Sequence, residues 1–358
     1  VVVLSLTQIT GNIMDNLHTL YADGINGVRE YRIWSEGSVI KILANGVMYE
    51  EEVTHGKVNR TLDEQVTLRI LSRVRIKLDN GFVYDKSDLS GVPTNQLGYF
   101  MPMLAERLDK LKQKPRGTVY VQPKFDGHRC LLNSEGAYSR RGKAIDTIPD
   151  LFEHIKMPEG ITLDGELYVH NTPLQTIASW AKKNQKGTEK LKYFIYDCIV
   201  HDELDMPYEQ RLKLLGKLQV TTKRSKLVTT RETNIAKVQE YFHAYRKRNL
   251  EGAMIRLHKS EYAVGKRSKG LLKVKHYEDA EFECIDIHAN RLGWAILNLR
   301  AHNGRLFTAT APGPVDVKMA TYQNKHDYIG NSVTCEYACL TNEGIPFQPV
   351  ATRWLTVL

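Results

Sequence analysis

Apolar residues recur along the chain at two spacings, and the switches between them mark out its parts. Near the N-terminus, Tyr31-Arg32-Ile33-Trp34 and Val39-Ile40-Lys41-Ile42-Leu43 flank Ser35-Glu36-Gly37-Ser38, which predicts two short strands and a turn. Thr61-Leu62-Asp63-Glu64 then sets a hydroxyl three residues ahead of a glutamate, a capping box that predicts a helix starting at Leu62. Leu62, Val66, Ile70, Val74 and Leu78 hold helical spacing up to the stop signal Asn80-Gly81. Arg69, Arg73 and Lys77 sit four residues apart and form a basic stripe beside that apolar one. From Lys86 to Phe100 the sequence turns polar, with Ser87, Ser90-Gly91, Pro93 and Gly98, and predicts a boundary. Beyond it, strands are predicted over 118–121, 161–169 and 193–200, and helices over 208–218 and 234–247. From Glu281 onward, short apolar runs with frequent turns predict a small β-barrel. The expected organisation is α+β and multidomain: a small α+β module over 1–92, a mixed domain over 93–276 and a β-rich domain over 277–358.

Composition narrows the class. The chain has 358 residues, enough for two or three domains, and 42% of them are hydrophobic, enough to build real cores. No apolar run approaches the roughly 20 residues that span a bilayer. Val1-Val2-Val3-Leu4-Ser5-Leu6 is short and lacks the basic flank of a secretory signal, so an intracellular protein without a membrane partner is expected. The five cysteines (Cys130, Cys198, Cys284, Cys335 and Cys339) lie mostly in apolar, strand-like sequence and read as free thiols of a reducing compartment. Cys335 and Cys339 have no second Cys or His pair at zinc spacing, and no structural zinc is expected. A net charge of +9 fits a polyanionic partner.

The chemistry concentrates in Lys124-Phe125-Asp126-Gly127-His128-Arg129, which follows the apolar Val119-Tyr120-Val121. A lysine at a strand end, fixed by an Asp-Gly turn, can hold its amine beside a phosphate and attack the α-phosphorus of a nucleotide, leaving a covalent phosphoramide. Alone, the Asp-Gly pair also fits a plain hairpin turn. Downstream, Ser139-Arg140-Arg141-Gly142-Lys143 puts cations on a turn, and Leu163-Asp164-Gly165-Glu166-Leu167 puts a carboxylate in an apolar strand. A buried glutamate is costly without a partner, so Glu166 is expected to bond a ligand hydroxyl or a neighbouring cation. In Tyr193-Phe194-Ile195-Tyr196-Asp197 the Tyr196 ring can stack on a base or simply fill core. Leu250-Glu251-Gly252-Ala253-Met254-Ile255-Arg256 sets a carboxylate at the head of an apolar run. Leu271-Leu272-Lys273-Val274-Lys275 points two lysines from one strand face, which repel unless an anion such as a triphosphate neutralises them. Their plainer reading is an edge strand guarded by lysines.

In order and spacing these segments resemble the motifs of the covalent nucleotidyltransferases, and most closely the ATP-dependent DNA ligases: KxDGxR, SRxGK, DGE, an aromatic-Asp strand, EGxMIR and KxK. Pro102-Met103-Leu104-Ala105 is similar to the ligase lead-in, and the resemblance runs from Pro102 to Asp279. It implies an adenylation domain followed by an OB-fold, with ATP and Mg²⁺ (or Mn²⁺) as cofactors and nicked duplex DNA as substrate. It also implies roles. Lys124 would form lysyl-AMP, with Asp126 close to the metal and the nick. Arg129 and Arg140 would bind phosphates of the nucleotide or of the nick. Glu166 would hold the ribose hydroxyl, Tyr196 would stack on adenine, and Gln122 would contact the adenine edge through its backbone. Glu251 would help hold the metal, Lys273 and Lys275 the α-phosphate, and Arg267 a substrate phosphate. A free lysine with a pKa near ~10.4 is almost wholly protonated at neutral pH, so the nearby cations and the metal are expected to favour its neutral form.

The C-terminal stretch resembles the ligase OB-fold but departs from it near the end. Arg353-Trp354-Leu355-Thr356 keeps only the arginine of the family's Arg-x-Asp-Lys motif, which puts in doubt how pyrophosphate is oriented. The N-terminal module resembles a WGR-like domain through Trp34, Gly37, Val53-Thr54-His55-Gly56-Lys57, Thr61, Glu64-Gln65 and Gly81-Phe82. With the Arg69/Arg73/Lys77 stripe it is expected to bind DNA and complete a clamp around the nicked duplex, the enzyme acting as a monomer. RNA ligases and mRNA-capping guanylyltransferases share the KxDG lysine, but the EGxMIR form, the lead-in and the tail favour DNA ligase. NAD-dependent ligases carry a four-cysteine zinc module that is missing here. A silent DNA-binding protein is disfavoured because every catalytic position is filled.

Overall fold

The computed structural model describes residues 17–355, apart from 25–26, 45, 56–59, 90, 96, 291 and 342. Four strands, β1 (His18–Gly24), β2 (Gly27–Glu36), β3 (Val39–Ala44) and β4 (Val47–Glu52), form a sheet in sequential order. Helix α1 (Leu62–Leu78) follows, and both halves of its capping box form. The Glu64 amide donates to Thr61 Oγ1 at 3.2 Å, and the Thr61 amide donates to Glu64 Oε2 at 2.9 Å. Val66, Ile70 and Val74 are its buried residues, as the stripe requires. Of the residues that suggest a WGR-like module, Gly56 and Lys57 lie outside the described residues.

From Leu104 the chain runs through β5 (Leu104–Arg107), β6 (Thr118–Lys124), β7 (His128–Asn133), β8 (Gly136–Ser139), α2 (Pro149–Phe152) and β9 (Ile161–Tyr168). It continues through α3 (Leu174–Lys182), β10 (Lys192–Val200), α4 (Tyr208–Lys217), β11 (Ser225–Leu227), β12 (Arg231–Asn234), α5 (Val238–Lys247), β13 (Gly252–Arg256) and β14 (Arg267–Lys275). These strands make two five-stranded sheets, ordered β12-β6-β13-β14-β5 and β11-β10-β9-β7-β8. One apolar cluster joins them: Val121 and Ala253 come from the first sheet, and Cys130, Leu163, Leu167 and Ile195 from the second. Burial on both faces explains why these strands read as nearly continuous apolar runs. The helix expected from Asn234 begins at Val238 instead. Residues 231–234 pair with β6, and the Asn234 side chain accepts the Ala236 amide to cap a single 3₁₀ turn before the helix.

The C-terminal stretch holds β15 (Glu278–Ala289), β16 (Ala295–Arg300), β17 (Leu306–Thr310), α6 (Val315–Gln323), β18 (Ser332–Tyr337) and β19 (Val350–Trp354). Its strands form one antiparallel sheet, β17-β16-β15-β18-β19, over a core that includes Phe282, Ile287, Leu297, Leu299, Val333 and Cys335. By contacts, the described chain divides into 18–31 with 71–275, and 17 and 32–70 with 276–355. The five thiols are free; four are buried and Cys339 is exposed. Among the described residues, no helix is long and apolar enough to cross a membrane.

Candidate active site

Three neighbouring strands bring three of the sequence motifs into line. Lys124 ends β6 opposite Gly252 of β13, and Gly252 is in turn opposite Lys275 of β14. Glu251, one residue before Gly252, therefore stands between two lysines. Its Oε2 accepts from Lys124 Nζ, its Oε1 lies 3.5 Å from Lys275 Nζ, and its amide donates to the Lys124 carbonyl at 3.0 Å. From the sequence, nearby cations and a metal are expected to favour the neutral amine of Lys124. The group in contact with that amine is the Glu251 carboxylate, with Lys275 one step further. Lys273, two residues before Lys275 on β14, is half-buried. Burial first, then Arg267, Lys275 and Lys124, push its amine below the ordinary lysine value, against the opposing pull of Glu251.

The second sheet supplies the opposite wall. Register pairs Arg129 of β7 with Glu166 of β9, and Glu166 with Phe194 of β10. The Asp-Gly turn after Lys124 passes so close to β9 that a Cβ on Gly127 would lie 2.4 Å from the Leu167 carbonyl oxygen and 2.7 Å from Glu166 Cγ. Only glycine fits there without displacing Glu166. Glu166 Oε2 accepts from the Tyr196 hydroxyl at 3.3 Å. Burial pushes the Glu166 carboxyl up to about 7, against the opposing pull of Lys124 and Arg129. The Tyr196 ring is half-buried and has two guanidiniums near it, with Arg129 Cζ 5.8 Å and Arg256 Cζ 5.5 Å from its centroid.

Not every expected residue is free for a ligand. Gln122 is buried; its Nε2 donates to Tyr208 Oη at 2.9 Å and Thr230 Oγ1 at 2.7 Å, and its Oε1 accepts from Arg256 Nε at 2.9 Å. Its Nε2 also donates to the Tyr196 carbonyl of β10 at 3.3 Å, which ties the two sheets together and leaves the Gln122 backbone for the role suggested by the resemblance. Arg129 is held in a fork by Asp164, with Nε to Oδ1 at 2.9 Å and Nη2 to Oδ2 at 2.5 Å, and Nη1 donates to the Met103 carbonyl at 2.8 Å. Arg140 and Arg267 are exposed. On α1, Arg69 pairs with Glu51 at 2.9 Å, and Lys77 Nζ sits 4.1 Å from the Tyr31 ring centroid. Arg73 is engaged as well, so the basic stripe is partly spent on contacts of its own.

Sequence reasoning passed over a buried polar network beneath the site. Asp197 is 0% exposed and accepts from both Arg211 and Arg256, themselves buried. Asp164 is equally buried and accepts from the Tyr262 hydroxyl at 2.6 Å as well as from Arg129. The available signal was an aspartate inside each of two apolar strands, since a buried carboxylate demands partners.

Asp126 and Glu251 lie close enough to act on each other: partial burial first, and the Glu251 charge second, raise the Asp126 carboxyl. Among the described residues no group of three or more His, Cys, Asp or Glu forms a metal site. Two carboxylates nevertheless fit Mg²⁺, which takes one or two protein oxygens and completes its shell with phosphate and water.

A family model for the ATP-dependent DNA ligase domain matches residues 102–275. The DNA ligase of African swine fever virus (isolate Pig/Kenya/KEN-50/1950) is 28% identical over 293 residues, which cover 72% of this chain and 69% of the viral one. The DNA ligase of Archaeoglobus fulgidus is 31% identical over 206 residues, covering 52% of this chain and 36% of its own length. Among solved structures, a Lig E DNA ligase at 21% identity matches the fold with a TM-score of 0.58, over 71% of this chain and 99% of that one. All the paired strands that carry Lys124, Glu166, Glu251 and Lys275 fall inside the matched stretch. Residues 102–275 of this chain thus match the ATP-dependent DNA ligase domain, and the chain is similar to DNA ligases well beyond that stretch.

Proposed function

We propose that the chain seals nicks between a 3′-hydroxyl and a 5′-phosphate in duplex DNA, using ATP and three transfers at one site. The observation that carries this is Lys124 at the end of β6, bonded to Glu251, which also meets Lys275, and close enough to act on Glu166 of the second sheet, itself paired with Arg129. First, Lys124 Nζ, freed of a proton, attacks the α-phosphorus of ATP; a P–N bond forms and pyrophosphate leaves. Second, a 5′-phosphate oxygen displaces the lysine, which recovers its proton, and the DNA end becomes adenylylated. Third, the 3′-hydroxyl attacks that 5′-phosphorus and AMP departs.

The residues divide these tasks. Glu166 holds a ribose hydroxyl, Tyr196 stacks on the adenine, and the Gln122 backbone lies along its edge. Lys273 and Lys275 neutralise the α-phosphate, where an anion relieves their mutual repulsion. Arg129, fixed by Asp164, and the exposed Arg140 and Arg267 contact phosphates. Asp126 and Glu251 would hold a divalent cation, which supplies charge neutralisation on the transferring phosphate. The antiparallel sheet of 277–358 is read as an OB-fold barrel, and the 1–92 module as a DNA-binding arm that helps encircle the duplex through Arg69, Arg73 and Lys77.

The test is incubation with α-labelled ATP or GTP and Mg²⁺, followed by denaturing electrophoresis, for wild type and Lys124→Ala. Label from ATP alone, lost in Lys124→Ala and chased into sealed product by nicked DNA, is the expected result. Label from GTP would point to capping, and no label would sink the mechanism.

A further inference from the structure

Arg140 lies on the turn after β8 and Arg267 opens β14, yet they act on each other: burial first, then Arg129, Arg141 and Arg267, lower the Arg140 guanidinium from its ordinary value. Arg267 is held from one side, where its Nη1 donates to the Ala105 carbonyl at 2.6 Å and β14 pairs with β5. The Arg140 turn and the loop that leads into Arg267 both pack on one stretch of chain, the turn-rich segment before β5.

The Arg140 turn closes on itself, with the Ser139 amide donating to the Lys143 carbonyl at 2.8 Å and the Gly142 amide to the Ser139 carbonyl at 2.9 Å. Gly142 has φ +77°, and a Cβ there would lie 2.3 Å from Asn95 Nδ2. The Arg267 loop leaves Gly265 at φ +64°, where a Cβ would lie 2.5 Å from Pro93 Cβ and 3.3 Å from Met101 Cβ. The Gly265 amide also donates to the Met101 carbonyl at 2.8 Å. Asn95 is 5% exposed and organises the segment from within. Its Oδ1 accepts the Leu97 amide at 2.9 Å and the Tyr99 amide at 3.2 Å. Tyr99 then packs on Tyr138 of β8, with centroids 4.7 Å apart, and its hydroxyl donates to Glu135 at 2.8 Å.

We propose that Asn95 is a positioning residue for nick recognition: with Pro93 and Met101 it braces the Arg140 turn and the Arg267 loop at the spacing that one DNA backbone requires. This rests on the reading of Arg140 and Arg267 as phosphate contacts. The ligand class is the set of phosphates flanking the nick, and the brace acts on the steps that involve DNA rather than on capture of AMP.

The experiment uses the full chain as wild type, Asn95→Ala, Asn95→Asp, Arg140→Ala, Arg267→Ala and the Asn95→Ala/Arg140→Ala pair. Lysyl-AMP formation is measured without DNA. Single-turnover sealing of a nicked duplex by the preformed adenylate is measured across a salt series. Asn95→Ala should form lysyl-AMP at the wild-type rate but seal about 10- to 100-fold more slowly, the penalty of a phosphate ligand misplaced by about 1 Å. Its binding should also depend less on salt, by about 0.9 in logarithmic slope for each phosphate the protein no longer neutralises. Asn95→Asp keeps the acceptor for both amides and should restore sealing, and the double variant should lose less than the two single losses combined, because part of what Asn95 supplies acts through Arg140 and the rest through Arg267. Normal sealing by Asn95→Ala while Arg140→Ala and Arg267→Ala are slow would overturn the brace alone, as would an equal slowing of both steps or failure of Asn95→Asp to rescue. Normal sealing by Arg140→Ala and Arg267→Ala would overturn the phosphate reading, and the brace with it.

Discussion

Asp197→Ala offers the sharpest test of how the catalytic domain is held together. Asp197 Oδ1 accepts from Arg211 Nε and from the Cys198 amide, both at 2.8 Å, and Oδ2 accepts from Arg211 Nη2 at 3.1 Å and from Arg256 Nη1. Truncation leaves two buried guanidiniums without a counter-charge, and arginine cannot escape by losing its proton. Breaking such a pair costs about 3–5 kcal/mol. For a domain of this size each kcal/mol moves the midpoint by about 2–4 °C, so a fall of roughly 6–20 °C is expected. Arg211→Met should cost less, because Asp197 keeps Arg256 while Arg256 keeps the Gln122 Oε1 acceptor at 2.9 Å. Urea titration followed by far-ultraviolet circular dichroism, alongside a thermal scan, measures both. A loss below about 1 kcal/mol in Asp197→Ala, or an equal loss in Arg211→Met, would refute the reasoning. The network also sets an acid limit. Burial works to raise the Asp197 carboxyl, but Arg256 and Arg211 outweigh it and hold the group below its ordinary value. That stabilisation is complete above the unfolded carboxylate pKa of about 3.9 and is lost as the pH falls through the folded value, a loss absent from Asp197→Ala.

Gly127→Ala should slow lysyl-AMP formation by about 100-fold, because the new methyl must displace Glu166 or the turn that fixes Lys124; wild-type labelling rates would contradict this. Glu166, raised by burial to about 7, is neutral below that pH and accepts ribose hydroxyls as a carboxylate above it. ATP affinity should therefore tighten from pH 6 to pH 8 in wild type and stay flat in Glu166→Gln, read from initial rates of adenylylation. The same shift makes burial of the carboxylate a cost that grows as pH rises from the ordinary glutamate value of 4.5 to about 7, so Glu166→Gln should raise the urea midpoint at pH 8 but not at pH 4. Thr61→Ala removes the acceptor for the Glu64 amide and should destabilise the N-terminal module by about 1 kcal/mol while leaving lysyl-AMP formation intact, as a thermal melt beside a labelling assay would show.

Local signals in the sequence carried far. The capping box at Thr61 and the stop at Asn80-Gly81 bounded α1, because both are short-range hydrogen-bond chemistry. The Lys124, Glu166, Glu251 and Lys275 motifs were legible because each sits on or beside a strand whose alternation fixes its face. What stayed hidden depends on partners distant in the chain. Asp197 finds Arg256 59 residues away on the other sheet, and Gln122 meets it 134 residues away. Neither pairing leaves a trace in local periodicity. The contact between Glu251 and Lys124 was hidden for the same reason: it follows from strand register, which the hydrophobic pattern constrains only indirectly. At Asn234, a short edge strand and a side-chain cap overrode helical spacing that began too early.

The ladder that aligns Lys124, Gly252 and Lys275 also determines which accidents of the gene the protein can survive. Adding or losing one residue in a surface turn moves only that turn. The same change inside β6 or β14 would carry the alternation one step out of phase and swing the amine to the opposite face of an intact-looking sheet. Length variation should therefore gather in the connections between strands. The three strand segments that carry the amines and their carboxylate should tolerate substitution at their outward positions far better than any change in length.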